Sequence, residues 1–248
     1  MLNSRGRVVE DLILHRQSDD KILIESDRNN QPKLRKLLEM YKMHKDVAIE
    51  KTDYSVYHAD GDAGIAGFPD PRLSEGVHAH EEAYEERRFD FGIPEGPNEL
   101  AGELPLFVNA DIMNGIRKFH HMWGHEKFVL SLPRGLTVRE IGHVKLRFSA
   151  DKGCYLGQEL TARALSAPEV RKRLLPFTCS GAVSGKLVSS EGRREGKIVA
   201  CNGRKGLAMV PYSPDFIQKQ FRTEEDEIDV FLPSWWPGTF ASQKQEAE

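Results

Sequence analysis

Residues 152–159 read Lys-Gly-Cys-Tyr-Leu-Gly-Gln-Glu, and no other stretch of the chain concentrates as much potential chemistry. Gly153 and Gly157 bracket Cys154 and Tyr155, and glycines so placed let a backbone take positive φ or approach a partner closely. Lys152 puts a cation two residues ahead of the thiol, which favours its ionised form. The run from Gln158 to Leu165 has helical character, and amide dipoles at the start of such a helix would favour thiolate in the same way. Tyr155 is placed to shield the sulfur, and Gln158 and Glu159 to orient the turn through its amides. The plainer reading is a glycine turn around a half-buried structural cysteine, which describes most cysteines.

The other candidates are weaker. Cys154, Cys179 and Cys201 are odd in number, widely spaced and without a Cys-x-x-Cys pair. That excludes a disulfide framework or zinc ribbon and fits a reducing compartment. Cys179 and Cys201 fall on expected strands and read as buried apolar residues. His78 and His80 are two apart and share no helix face, so they read as solvated. His120, His121, His125 and His143 cluster further on, with His121 and His125 four apart, a zinc-ligand spacing. Glu126 is misplaced for a His-Glu-x-x-His site, however, and Gly124 weakens a helix there.

The elements that must position the cysteine turn follow from periodicity. Val8 to Leu14 and Lys21 to Glu25 predict two strands joined by the polar turn Ser18-Asp19-Asp20. Pro32 starts a helix whose apolar face is Leu34, Leu37, Leu38 and Tyr41. Val47 to Glu50 and Tyr54 to His58 predict two more strands, residues 60–75 a loop, and His78 to Arg88 a charged helix. That order predicts a helix packed on a mostly antiparallel sheet. From Leu174 onward, five short strands alternate with glycine turns, as in a small barrel or sandwich. The fold class is therefore α+β. With 29% charged and 39% hydrophobic residues and a net charge of −3, the chain reads as globular and gives no reason to expect nucleic-acid binding. No apolar stretch approaches a membrane span.

Beyond residues 152–159, a wider set of motifs runs in order along the chain. These are Leu2-Asn3-Ser4-Arg5-Gly6-Arg7, then Tyr84 and Arg88 ahead of Gly92-Ile93-Pro94-Glu95-Gly96, then Leu104-Pro105-Leu106 and the Asn109–Ile116 segment with Met113-Asn114-Gly115. After residues 152–159 come Leu160-Thr161-Ala162-Arg163, Val170-Arg171-Lys172-Arg173-Leu174, Gly206-Leu207-Ala208 and Pro233-Ser234-Trp235-Trp236-Pro237. Together they resemble the YgfZ-type iron–sulfur cluster assembly factors, relatives of the folate-binding aminomethyltransferase of glycine cleavage, and specifically the eukaryotic, chiefly mitochondrial members. The resemblance implies a folate-protein-like N-terminal portion, residues 1–173, of helix-covered antiparallel sheet. It also implies a C-terminal β-barrel and tail, residues 174–248.

The chain departs from that pattern in three places. The Leu-Asn-x-x-Gly-Arg element begins at Met1, so the expectation is a sheet lacking its opening strands, and hence an unstable or aggregating chain. Residues 117–150 separate the Met-Asn-Gly segment from the cysteine turn and carry seven basic residues against two acids. Phe119, Trp123 and Phe128 among them would suit a nucleic-acid or partner patch, but an arbitrary insertion, such as a translated intron, is the favoured reading. Finally, Phe107 follows Leu104-Pro105-Leu106 where relatives carry an acid, and residues 164–169 replace a His-x-Gly-like element. Phenylalanine accepts no hydrogen bond from a pterin.

The resemblance implies a factor for maturation of mitochondrial 4Fe–4S proteins, with an A-type iron–sulfur carrier and 4Fe–4S client proteins as partners, no nucleic acid and no membrane. It places the factor in the mitochondrial matrix, although no presequence is visible. It implies tetrahydrofolate or a derivative as cofactor, and an iron–sulfur cluster held transiently with the carrier. Cys154 would be the functional thiol and a shared iron ligand, since one thiolate falls short of the usual four. Lys152 would tune it, with Gly153, Tyr155, Gly157, Gln158, Glu159, Arg163 and Arg171 forming the cofactor-binding signature region. Two alternatives stand beside this: a folate-dependent aminomethyl transferase, and a non-functional product of a misread gene. The assembly role is favoured over that of a turnover enzyme.

Overall fold

The computed structural model describes residues 1–18, 20–52, 81–112, 125–131, 157–188, 192–213, 216, 219–233 and 236. Its elements bear out the α+β expectation.

The chain opens not with a long strand but with a hairpin. The Asn3 Oδ1 accepts the amides of Arg5 at 2.9 Å and Arg7 at 3.1 Å, Gly6 takes φ +68°, and Leu2 bridges Val8. A short polar side chain that captures its own downstream amides bends the backbone this way. The first strand therefore starts later than expected, as β1 (Ile13–Arg16), followed by β2 (Lys21–Asp27). Asp27 caps the next turn by accepting the Asn29 amide at 2.7 Å, and helix α1 (Gln31–Lys42) follows with proline in its first turn. Next come β3 (Ala48–Lys51), α2 (Glu81–Asp90), α3 (Gly96–Leu100) and β4 (His125–Ser131). The expected strand 54–58, the loop 60–75, His78, His80, His120, His121 and His143 lie outside the described residues.

The four strands form an antiparallel sheet in the order β1-β2-β4-β3. Strand β4 comes from within residues 117–150. It pairs with both neighbours, placing Phe128 opposite Ile24 and Leu130 opposite Ile49. The Phe-Val-Leu run at its centre has strand composition and sits in the middle of this sheet rather than looping out. Ile22, Ile24, Leu34 and Ile49 make the small core under the sheet.

The second half is helix α4 (Gln158–Leu165) followed by β5 (Lys172–Cys179), β6 (Lys186–Val188), β7 (Arg194–Asn202), β8 (Lys205–Pro211), β9 (Lys219–Arg222) and β10 (Glu227–Val230). These six strands close into a barrel in the order β10-β5-β8-β7-β6-β9. Closure removes the exposed strand edges.

Strands β5 and β8 are buried on both faces, so they read as apolar runs rather than alternations. Leu175, Phe177, Ala208 and Val210 point into the barrel with Leu187, Ile228 and Val230. Leu174, Leu207 and Met209 point outward against Val8, Phe89, Leu100 and Val108. The outer face of two barrel strands is thus the floor on which the opening hairpin, α2 and residues 100–108 are seated.

Candidate functional site

Helix α4 begins at Gln158, directly after Gly157 and four residues beyond Cys154. Lys152, Gly153, Cys154 and Tyr155 lie outside the described residues, so the structure describes what anchors the C-terminal end of their turn. Gly157 is the helix N-cap at φ +86°, ψ 8°, a left-handed conformation that suits glycine. A Cβ there would lie 2.6 Å from the Asn3 carbonyl oxygen and 2.9 Å from Gly6 Cα, and closer still to the Gly6 amide nitrogen. In the other direction, a Cβ on Gly6 would collide with the Gly157 carbonyl oxygen and lie 3.2 Å from the Thr161 hydroxyl. The Leu-Asn-x-x-Gly-Arg hairpin and the end of the cysteine signature are therefore interlocked, backbone to backbone, 150 residues apart in sequence. Neither glycine can be replaced without moving the other segment.

The remaining signature residues fall into clear roles. Thr161, on the second turn of α4, is buried beneath the hairpin. Glu159 does not reach back to the turn. It accepts a hydrogen bond from Arg163 at 2.7 Å, four residues along, in an exposed pair of small energetic value. Gln158 is half-buried at the first position of the helix. Arg171 is exposed just before β5, where its carbonyl accepts the Tyr212 amide at 2.9 Å. The structure thus joins Gly157 to the hairpin and Glu159 to Arg163.

Two buried arginines that sequence reasoning did not single out as site residues hold the surroundings. Arg173 donates to both carboxylate oxygens of Asp111 at 2.6 and 2.9 Å and to the Leu106 carbonyl at 2.6 Å. Its guanidinium also lies about 6 Å from the Tyr212 and Trp236 ring centroids, at 6.0 and 5.9 Å. Asn109, at φ +65°, adds a 2.6 Å bond from Nδ2 to the Leu174 carbonyl. Residues 104–112 are in this way clamped to the start of β5. On α2, Arg88 donates to both Glu99 carboxylate oxygens at 2.7 and 2.8 Å and to the Ile93 carbonyl at 2.9 Å. The sequence held only a weak signal, because Arg171 and Lys172 lie as near the Leu174-Leu175 run and are exposed.

Glu10 is the buried acid nearest the hairpin. Its carboxylate accepts the Asn30 side-chain amide and the Asp27 backbone amide. Burial, reinforced by Asp11 and Asp27, nevertheless pushes its pKa up to about 7.

Phe107 occupies the position where the resemblance implies a pterin-binding acid. It packs against the core formed by Val8, Phe89, Val108 and Leu174, and its carbonyl accepts the Leu174 amide at 2.8 Å. A side chain that is part of the packing and holds no acceptor does not fit a pterin there. Among the described residues, no group of three or more His, Cys, Asp or Glu is arranged to hold a metal ion. Among them too, no helix is long and apolar enough to cross a membrane.

Known proteins resemble this sequence. Residues 171–238, the barrel, match the family model described as CAF17, C-terminal beta-barrel domain. The mitochondrial iron–sulfur cluster assembly factor IBA57 homolog of Neurospora crassa is 28% identical over 98% of this chain and 64% of its own length. The mouse and human proteins of that name are each 26% identical over 95% of this chain and 71% of theirs. The chain is similar to the IBA57 factors along nearly its whole length. The resemblance read from the cysteine signature and its flanking motifs is thereby borne out. The chain spans roughly two thirds of these relatives' length, 64–71%.

Proposed function

We propose that the chain acts as an assembly factor for mitochondrial 4Fe–4S proteins, in the matrix, in company with an A-type iron–sulfur carrier. The observation that carries this reading is the similarity over 95–98% of the chain to proteins named mitochondrial iron–sulfur cluster assembly factors. The cluster is cargo, and Cys154 is the thiol offered to it. With one thiolate available and four ligands normally required, the carrier supplies the others. Lys152 and the start of α4 favour the ionised sulfur. The Gly6–Gly157 interlock fixes where the turn leaves the protein. Glu159 and Arg163 secure the first turns of the helix, and Arg171 stays free of the barrel core at the surface. Residues 1–173 are the part that presents the thiol, and 174–248 the barrel that supports it.

Folate-dependent aminomethyl transfer, the second reading, is disfavoured by Phe107. The two are separated by mixing the chain with an A-type carrier loaded with iron and sulfide. Visible iron–sulfur absorption that Cys154→Ser abolishes is the expected result. Release of a one-carbon product from a methylamine donor and tetrahydrofolate, undiminished by Cys154→Ser, would overturn it.

A further inference from the structure

Cys179 and Cys201 lie on β5 and β7, which are not neighbours, since β8 runs between them. Their side chains meet all the same. Cys179 Sγ lies 3.8 Å and Cys201 Sγ 3.9 Å from the one carbonyl oxygen of Gly203, so the two thiols converge on a single acceptor. The reason is local. Both point inward at the end of the barrel, packed against its core. The inward position of β8 between them is Gly206, opposite Phe177 on one side and Cys201 on the other. It contributes no side chain, and a Cβ there would strike the Phe177 ring, 2.6 Å from Cζ. The Phe177 ring fills the room that Gly206 leaves, and the middle strand puts no side chain of its own between Cys179 and Cys201. Both cysteines are half-buried, so the pair sits at the rim rather than sealed inside.

We infer that Cys179 and Cys201 form an oxidisable dithiol, which peroxide converts to a disulfide joining the ends of β5 and β7 across the β7–β8 turn. This modification site is independent of the assembly reading and of Cys154. In the first step a sulfur attacks one peroxide oxygen, the O–O bond breaks, and a sulfenic acid and water result. In the second step the other sulfur attacks the sulfenic sulfur. The S–S bond forms, the S–O bond breaks, and the hydroxyl leaves as water with the second thiol's proton. The two sulfurs lose two electrons in all and the peroxide gains them. Burial, then the neighbouring thiol, pushes the Cys179 pKa up to about 12, so Cys179 is scarcely ionised near neutrality. Thiol–disulfide exchange with a small-molecule disulfide would reach the same product by the same order of attack.

Trypsin places the three cysteines on separate peptides, cut at Lys152 and Arg163, at Arg173 and Lys186, and at Lys197 and Arg204. The full chain is treated with hydrogen peroxide, freed of peroxide, unfolded in urea, alkylated with iodoacetamide and digested without reductant. The expected product is peptide 174–186 linked to 198–204, removed by dithiothreitol, with alkylation of Cys179 and Cys201 lost together. In Cys201→Ser, Cys179 should remain alkylatable after the same treatment. The inference is overturned if Cys201 is taken to sulfinic acid while Cys179 stays alkylatable, or if either sulfur links to Cys154 instead.

Discussion

Alanine at Gly157 tests the interlock on which the presentation of the cysteine turn depends. Gly157 and Gly185 share the same φ, +86°, but the space around them differs completely. A Cβ on Gly185 meets nothing within 4 Å, whereas one on Gly157 meets the Asn3 carbonyl oxygen at 2.6 Å and the Gly6 backbone. Both substitutions carry the left-handed penalty, about 1–2 kcal/mol. Only Gly157→Ala adds forced overlap with backbone, which costs about 1–3 kcal/mol. The overlap is hard to relieve, because the hairpin is held by the Leu2–Val8 bridge and by the Asn3 side chain. The expected losses are therefore about 2–5 kcal/mol for Gly157→Ala and about 1–2 for Gly185→Ala. In urea, with a slope of about 2–3 kcal/mol per M, Gly157→Ala should unfold roughly 0.3–1.5 M earlier than Gly185→Ala. It should also change the rate at which iodoacetamide modifies Cys154, which Gly185→Ala should not. Midpoints within about 0.1 M of each other, with equal Cys154 rates, would refute the claim that the hairpin is a rigid seat for the signature.

Asp111→Ala strands the buried Arg173 guanidinium and should cost about 3–5 kcal/mol in chemical denaturation. Arg173→Met combined with Asp111→Leu should cost less than Asp111→Ala alone, because no unpaired charge then remains. Glu10 gives a pH signature. Its folded pKa of about 7 lies above the ordinary 4.5, so the folded state holds a proton that the unfolded state has released. The resulting stabilisation is complete below pH 4.5 and fades as pH rises toward 7; Glu10→Gln should flatten that slope in thermal melts recorded across the interval.

The chemistry-bearing segments were readable in one dimension because each depends on local residue types. Cys154 between glycines, Pro32 ahead of a periodic apolar face, and short strands punctuated by glycine all announce themselves within a dozen residues. The opening hairpin was missed as such because Val8 to Leu14 has strand composition, and the Asn3 side chain overrides it only by capturing the Arg5 and Arg7 amides. Strand β4 could not be placed from its own composition, since a strand is defined by its partners, and its partner strands β2 (Lys21–Asp27) and β3 (Ala48–Lys51) lie far upstream of His125–Ser131 in sequence.

Local pattern, then, determined the class of fold, the run of short strands that suits a barrel or a sandwich, and the identity of the thiol-bearing turn. What only the tertiary structure decided is which distant residues touch. Gly6 meets Gly157, Arg173 rather than Arg171 is buried against Asp111, and Cys179 meets Cys201 across a strand whose intervening residue is glycine. Such contacts are set by chain closure and side-chain volume, which act between segments far apart in the chain and leave no periodic trace in either one.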